Sequence, residues 1–331
     1  MTTISRGSTP TSAGTGFVTE VYAAPGSNGD VAFNSVLKVS NNPNSNCSLK
    51  LVLNVFLKQV NPSVYSDVLT RAIANANGNS LTPGFKVGLY PDTDNHPAIV
   101  KEWNNADWQK FVNGFTGQAM TWNKKFCLIP SDDFVLWDFV QGNGLRPGTR
   151  FRPNVVCEFA INVFAGSYAA HRTVEVVNLY VPNWPFRADD LTYNSDSTTP
   201  WQVSVTDLNN QTQNLNHLTV AHEIGHALGQ DHIGQSKNLP HCQLAILWEK
   251  VLHQDSIPAL YQGGSNSSVC YGQRATMGDA SNIMGSGDQF GAVNAKPWLD
   301  RLADHCIFAM DTSKWTVSMT EVPPMSIVNL R

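Results

Sequence analysis

The sequence predicts an α+β fold, a mixed twisted sheet with packed helices, and three observations carry that expectation. Residues 49–60 form a mostly apolar run with β-branched members, closed by Asn61 and Pro62, which predicts a strand. Across 106–122 the apolar positions Trp108, Phe111, Val112, Phe115, Met120 and Trp122 recur near helical spacing, although Gly114 and Gly117 weaken the helix. Several strand-like runs then precede a second helical segment around 222–226. A strand, a helix, more strands and another helix suit helices packed on a mixed sheet.

Residues 1–46 are rich in Ser, Thr, Gly and Asn, and only the short apolar stretches 17–24 and 31–39 could form strands. An extension or small lead-in element is expected there. Further strands are expected at 126–130, 155–164 and 173–181, with a short one at 168–171. Residues 189–216 are polar and read as loop.

The chain has 331 residues, 42% hydrophobic and 15% charged, enough to bury a sizeable core. At roughly 150 residues per domain, that length suits two folded units or one domain with two lobes. Lys plus Arg number 22 against 26 Asp plus Glu, a net charge of −4, so no basic footprint points to nucleic acid or an anionic membrane. Membrane insertion is not expected, because the longest apolar candidate, 155–170, contains Glu158 and Asn162. The six cysteines form no CxxC pair, which argues against a thiolate zinc site and favours up to three disulfides in an oxidising compartment. A secreted protein is therefore expected, although the opening residues show no leader-like apolar region.

The chemistry concentrates at His222-Glu-Ile-Gly-His226-Ala-Leu-Gly229-Gln-Asp-His232. On a helix, His222 and His226 share one face with Cβ atoms about 5–6 Å apart, so two imidazoles can converge on one ion. Glu223 lies one step round, close enough to hydrogen-bond a water held there. Gly229 supplies the backbone freedom to end the helix and turn His232 back to the same ion. Three histidines with one open position suit a catalytic zinc ion rather than a structural one. Five fixed positions of this kind arise by chance on the order of 10⁻⁵ times in such a chain.

With a second element, Ser281-Asn-Ile-Met284-Gly285, the chain resembles the metzincin clan of zinc endopeptidases. The resemblance implies a zincin fold. A lobe at 47–233 would end with the zinc helix, and a smaller irregular lobe at 234–331 would end with a helix at 296–306 bearing Trp298, Leu302 and Cys306 on one face. It implies His222, His226 and His232 as ligands of one Zn²⁺, and Met284 as an apolar floor beneath the metal. Glu223 would take a proton from the attacking water and return it to the leaving amine. Substrate would be an extended protein or peptide paired with an edge strand, for which 166–171 and 173–181 are candidates.

Two positions depart from the clan. Ile233 follows the third ligand where several families carry a distinctive residue. Ser286 stands two places after the methionine, where some families use a tyrosine as a movable ligand. A disulfide between Cys242 and Cys270 would close the long segment separating His232 from Met284. A monomer is expected. The acidic pairs Asp132-Asp133 and Asp189-Asp190 could hold a structural Ca²⁺, but exposed turns are their ordinary reading. His217 is expected near the start of the zinc helix, outside the ligand set. The rival functional reading is a non-catalytic protein-binding module on a peptidase scaffold.

Overall fold

In a computed structural model the described residues are 17–22, 33–39, 46–62, 87–90, 98–130, 149–152, 154–180, 189, 191–305, 311–319 and 327–330. The spine is the strand β3 (Cys47–Val60), whose side chains alternate strictly between the interior and a half-covered face. Leu49, Leu51, Leu53, Val55 and Leu57 are all buried. That period of two is what a strand covered on one face by helices requires.

Among the described residues eight strands form one mixed sheet around β3. Along one side β3 runs parallel to β8 (Val155–Phe164) over residues 47–56. Its other side is shared: β2 (Asn34–Val39) pairs antiparallel with 48–52, and β9 (Arg172–Val177) pairs parallel with 55–60. Outward from these lie β1 (Phe17–Tyr22) on β2, β10 (Thr192–Asn194) on β9, β6 (Cys127–Ile129) on β8, and β13 (Thr316–Ser318) on β6. Two-stranded ribbons pair β4 (Val87–Tyr90) with β5 (Ala98–Lys101), and β7 (Thr149–Arg152) with β14 (Ile327–Leu330).

The helix α1 (Asn105–Ala119) begins at Asn104, whose side chain accepts from the Asp107 amide, and continues as a single 3₁₀ turn to Trp122. It buries Phe111 and Phe115 against the sheet. Trp122 then stacks with Trp298 of α6 (Lys296–His305), ring centroids 6.3 Å apart, and Phe126 lies 5.5 Å from Trp298. One aromatic layer thus ties the early helix to the last one.

The short apolar stretches 17–24 and 31–39 supply β1 and β2 to the main sheet, with Phe33 and Leu37 in the core. Other expectations need correcting. Residues 168–171 are not a strand; 167–169 form a 3₁₀ turn. The polar stretch 189–216 is not simply loop, since it contains β10 and a hairpin of β11 (Trp201–Thr206) with β12 (Thr212–His217). Among the described residues one disulfide, Cys242–Cys270, is formed, and Cys47, Cys127 and Cys157 are buried in the core. Burial pushes the Cys127 thiol up to about 11 and Cys157 well above the ordinary thiol value, so both stay protonated in the core. Residues 132, 133, 190 and 306, and with them most of the Ca²⁺ reading, lie outside the described residues. No described helix is long and apolar enough to cross a membrane.

His305 gives the fold a pH dependence. It is buried where α6 meets β2, with Nε2 sharing a hydrogen bond of 3.0 Å with Ser35 Oγ. Burial first, and then the Arg301 charge, lower it to about 4 from 6.5. The unfolded chain takes up this proton first as pH falls, so the contribution is complete above pH 6.5 and is lost towards pH 4. A shift of this size corresponds to roughly 3 kcal/mol. Denaturant titrations of metal-free protein between pH 7 and 4 should therefore show a shallower loss of stability for His305→Leu than for the parent.

Candidate metal centre

The hairpin β11–β12 delivers the chain to α2 (Thr219–Ala227), which carries the first two histidines. The start of α2 has no side-chain cap of its own, and α1 holds it instead. Gln118 Oε1 accepts from the Val220 amide at 3.0 Å, and Trp122 Nε1 donates to the Ala221 carbonyl at 2.8 Å. At the other end Gly229 adopts φ +82°. Its amide donates to the His226 carbonyl, and the Gln230 amide reaches back to the Gly225 carbonyl at 3.0 Å. This pair of bonds is the Schellman ending, which a left-handed glycine permits, and it turns the chain back towards α2. His232 follows at once.

The structure brings His222, His226 and His232 together, one ligand atom from each lying within 4.8 Å of the other two. Each Nδ1 faces a backbone carbonyl. His222 donates to Ile283 at 2.7 Å, His226 to Gln230 at 2.7 Å and His232 to Ser265 at 2.8 Å. A neutral imidazole has one N–H, and here each is directed to a carbonyl, so every Nε2 is left as a bare lone pair. The Nε2 atoms of His226 and His232 are nevertheless only 3.1 Å apart. Two nitrogens bound tetrahedrally to one ion at about 2.0–2.1 Å would be about 3.3–3.4 Å apart. The Nε2 of His222 is buried with no hydrogen-bond partner.

Protonation is a poor way to relieve these facing lone pairs. Burial first, then the His226, His217 and His232 rings, hold His222 well below the ordinary histidine range. Burial and His226 lower His232 to about 3. His222 and His232 therefore stay neutral below the pH near 6 at which an unperturbed imidazole would protonate. A divalent cation fits the three nitrogens; the donor set and separations suit zinc without fixing the metal's identity.

Glu223 is 8% exposed and precedes the site's more open histidine, His226, by three residues. Met284 is buried, and its sulfur occupies the space where a side chain at Gly225 would begin, with Trp122 close by. Only glycine at 225 lets the turn pack this tightly on the helix between the two histidines. The turn is fixed further by the Met284 amide donating to Asn282 Oδ1 and by its carbonyl accepting from Ile233.

Other neighbours were not apparent from the sequence. Tyr271, next to the disulfide, packs nearly parallel to His222 at 5.2 Å and lies 4.0 Å from the His232 ring. Ser286 Oγ donates to the Tyr271 carbonyl. The His217 ring lies 5.2 Å from His222 and 5.4 Å from Trp201. Burial lowers His217 to about 4. Of the two segments put forward as substrate edge, 167–169 is a turn, and β9 pairs with β3 along 172–177 and with β10 only at 175–177.

Ser265, whose carbonyl orients His232, belongs to the loop closed by Cys242–Cys270. The Gly234 amide also donates to the Cys270 carbonyl. By chain-closure entropy, a bridge across 28 positions is worth about 3–4 kcal/mol. Replacing both cysteines by serine should lower stability by that order in denaturant melts and weaken metal retention in a chelator competition. No protein-family model matches the chain, and neither does any curated protein or solved structure.

Proposed function

We propose that the chain is a zinc-dependent endopeptidase of the metzincin type that hydrolyses peptide bonds in protein substrates. The observation carrying this reading is the convergence of three carbonyl-braced imidazoles, two of them on a helix that also carries the buried Glu223. Met284 packed under α2 and the turn at Gly229 support the same reading. His222, His226 and His232 would hold the ion. When bound, zinc supplies Lewis acidity and brings the pKa of a water it holds towards about 7.

Glu223 is the base that accepts a proton from the attacking water and then returns it to the departing amine. Its position in the helix carrying two of the ligands fixes its carboxylate relative to the reacting atoms. The Nδ1–carbonyl bonds keep the imidazoles from rotating as charge develops. Tyr271 and the His217–Trp201 pair add aromatic surface around the triad, and Trp201, 53% exposed, offers apolar surface to a substrate side chain. No Ser or Cys nucleophile is required. A structural metal site is disfavoured because three protein ligands leave a fourth position for water or substrate. The disulfide suits an extracellular setting.

Zinc stoichiometry and cleavage of an unfolded protein, measured for the parent and Glu223→Ala, test the assignment. The variant should keep one zinc per chain and lose about 10²–10⁴-fold in rate. Equal cleavage by both would remove Glu223 from the mechanism, and absence of cleavage by the zinc-loaded parent would remove the peptidase.

A further inference from the structure

The carbonyls that orient His222 and His226 belong to two segments far apart in sequence, and one buried side chain joins them. Asn294, 1% exposed, stands just before α6 and outside the zinc motif. Its Nδ2 donates to Gln230 Oε1 at 2.9 Å and to Asn282 Oδ1 at 3.2 Å. Its Oδ1 accepts from Asn282 Nδ2 and the Gly291 amide, both at 2.8 Å. Its backbone carbonyl accepts from Gln230 Nε2 at 2.8 Å. Gln230 supplies the carbonyl for His226, while Asn282 anchors the Met284 amide, next to the Ile283 carbonyl used by His222.

We propose that Asn294 is a positioning residue of the metal centre, fixing through Gln230 and Asn282 the carbonyls that orient His226 and His222. The network is closed: Asn294 uses both its donating and its accepting ends, and Gln230 is held at both ends of its amide. Flipping one amide would set like groups against each other, so a neighbour cannot absorb the loss of Asn294. Outer partners of metal-bound histidines typically govern 10–100-fold in metal affinity.

This inference rests on the metal-binding part of the proposed function and is tested without turnover. Asn294→Asp keeps the shape but removes the amide donor, and Gln230→Met removes the partner's hydrogen bonds at similar length. Leu302→Ala is the control, because it cuts the core on α6 without touching the network. Co²⁺ dissociation constants and ligand-field absorption bands are measured on full chains shown to be folded by circular dichroism. Asn294→Asp and Gln230→Met should bind Co²⁺ about 10–100-fold more weakly, with altered bands. Leu302→Ala should lose melting temperature while keeping the parent's affinity and bands.

Parent-like affinity and bands in both network variants overturn the proposal, as does equal weakening in Leu302→Ala. If Asn294→Asp does not fold, Gln230→Met decides; failure of both to fold makes the network a general folding element and overturns the positioning role. A parent that binds no Co²⁺ removes this inference and the proposed function together. A parent that binds Co²⁺ but cleaves nothing removes the peptidase alone.

Discussion

An imidazole that has given its only N–H to a carbonyl has nothing but a lone pair to offer on its far side. Three such rings meet here, and the rest of the molecule is arranged to keep them so. The three carbonyls come from Ile283, Gln230 and Ser265, in the methionine turn, the helix ending and the disulfide-closed loop. Each carbonyl would be of little use if its segment could swing. The turn is therefore clamped by Asn282 and Ile233, the helix ending by its Schellman bonds, and the loop by Cys242–Cys270. Holding bare lone pairs at 3.1 Å costs free energy in the absence of a cation. An ion bound there would release that cost, linking metal affinity and folding stability through the same contacts.

The parts of this arrangement that could be read from the sequence are the local ones. His222 and His226 are four residues apart on one helix, and Gly229 must turn the chain before His232, so spacing alone brings these ligands together. β3 was legible because its alternating apolar residues face a single core. The hairpin β11–β12 was not, because Thr212–His217 is largely exposed and carries almost no apolar alternation. Its pairing comes from backbone bonds and from Gln273 and Arg274, which bond Thr206 from a distant loop. The orienting carbonyls were invisible for a different reason: every residue has one, and only tertiary structure decides which of them faces a histidine. Asn294 and Tyr271 belong to the same class, ordinary residues made particular by long-range contact.

The segment closed by Cys242–Cys270 reaches the site through the contacts of Tyr271. Ser286 stands where a tyrosine would be expected from some members of the clan that the sequence resembles. Its short side chain bonds the carbonyl of Tyr271 instead, and the Tyr271 ring lies against His222 and His232. An aromatic ring thus reaches the ligands from the insert rather than from the methionine turn. A serine fits because a hydroxyl is small enough to sit 5% exposed beneath the insert and still donate a hydrogen bond. The insert is consequently part of the site's wall, and the bridge that closes it acts on the ligand geometry as well as on the unfolded chain.

Burial gives the site its chemical character as well as its rigidity. The sheet, α1 and the turn exclude water from His222 and most of His232, which keeps both imidazoles neutral and able to donate lone pairs. His226 is the least buried of the three residues, so solvent can approach from its side of the triad. Glu223, three residues earlier on α2, is nearly buried as well. A carboxylate in that setting keeps little bulk water around it, and its interactions with neighbouring charge are stronger than they would be at the surface. The same dry packing that makes the lone pairs of the triad costly without a metal would make them effective with one.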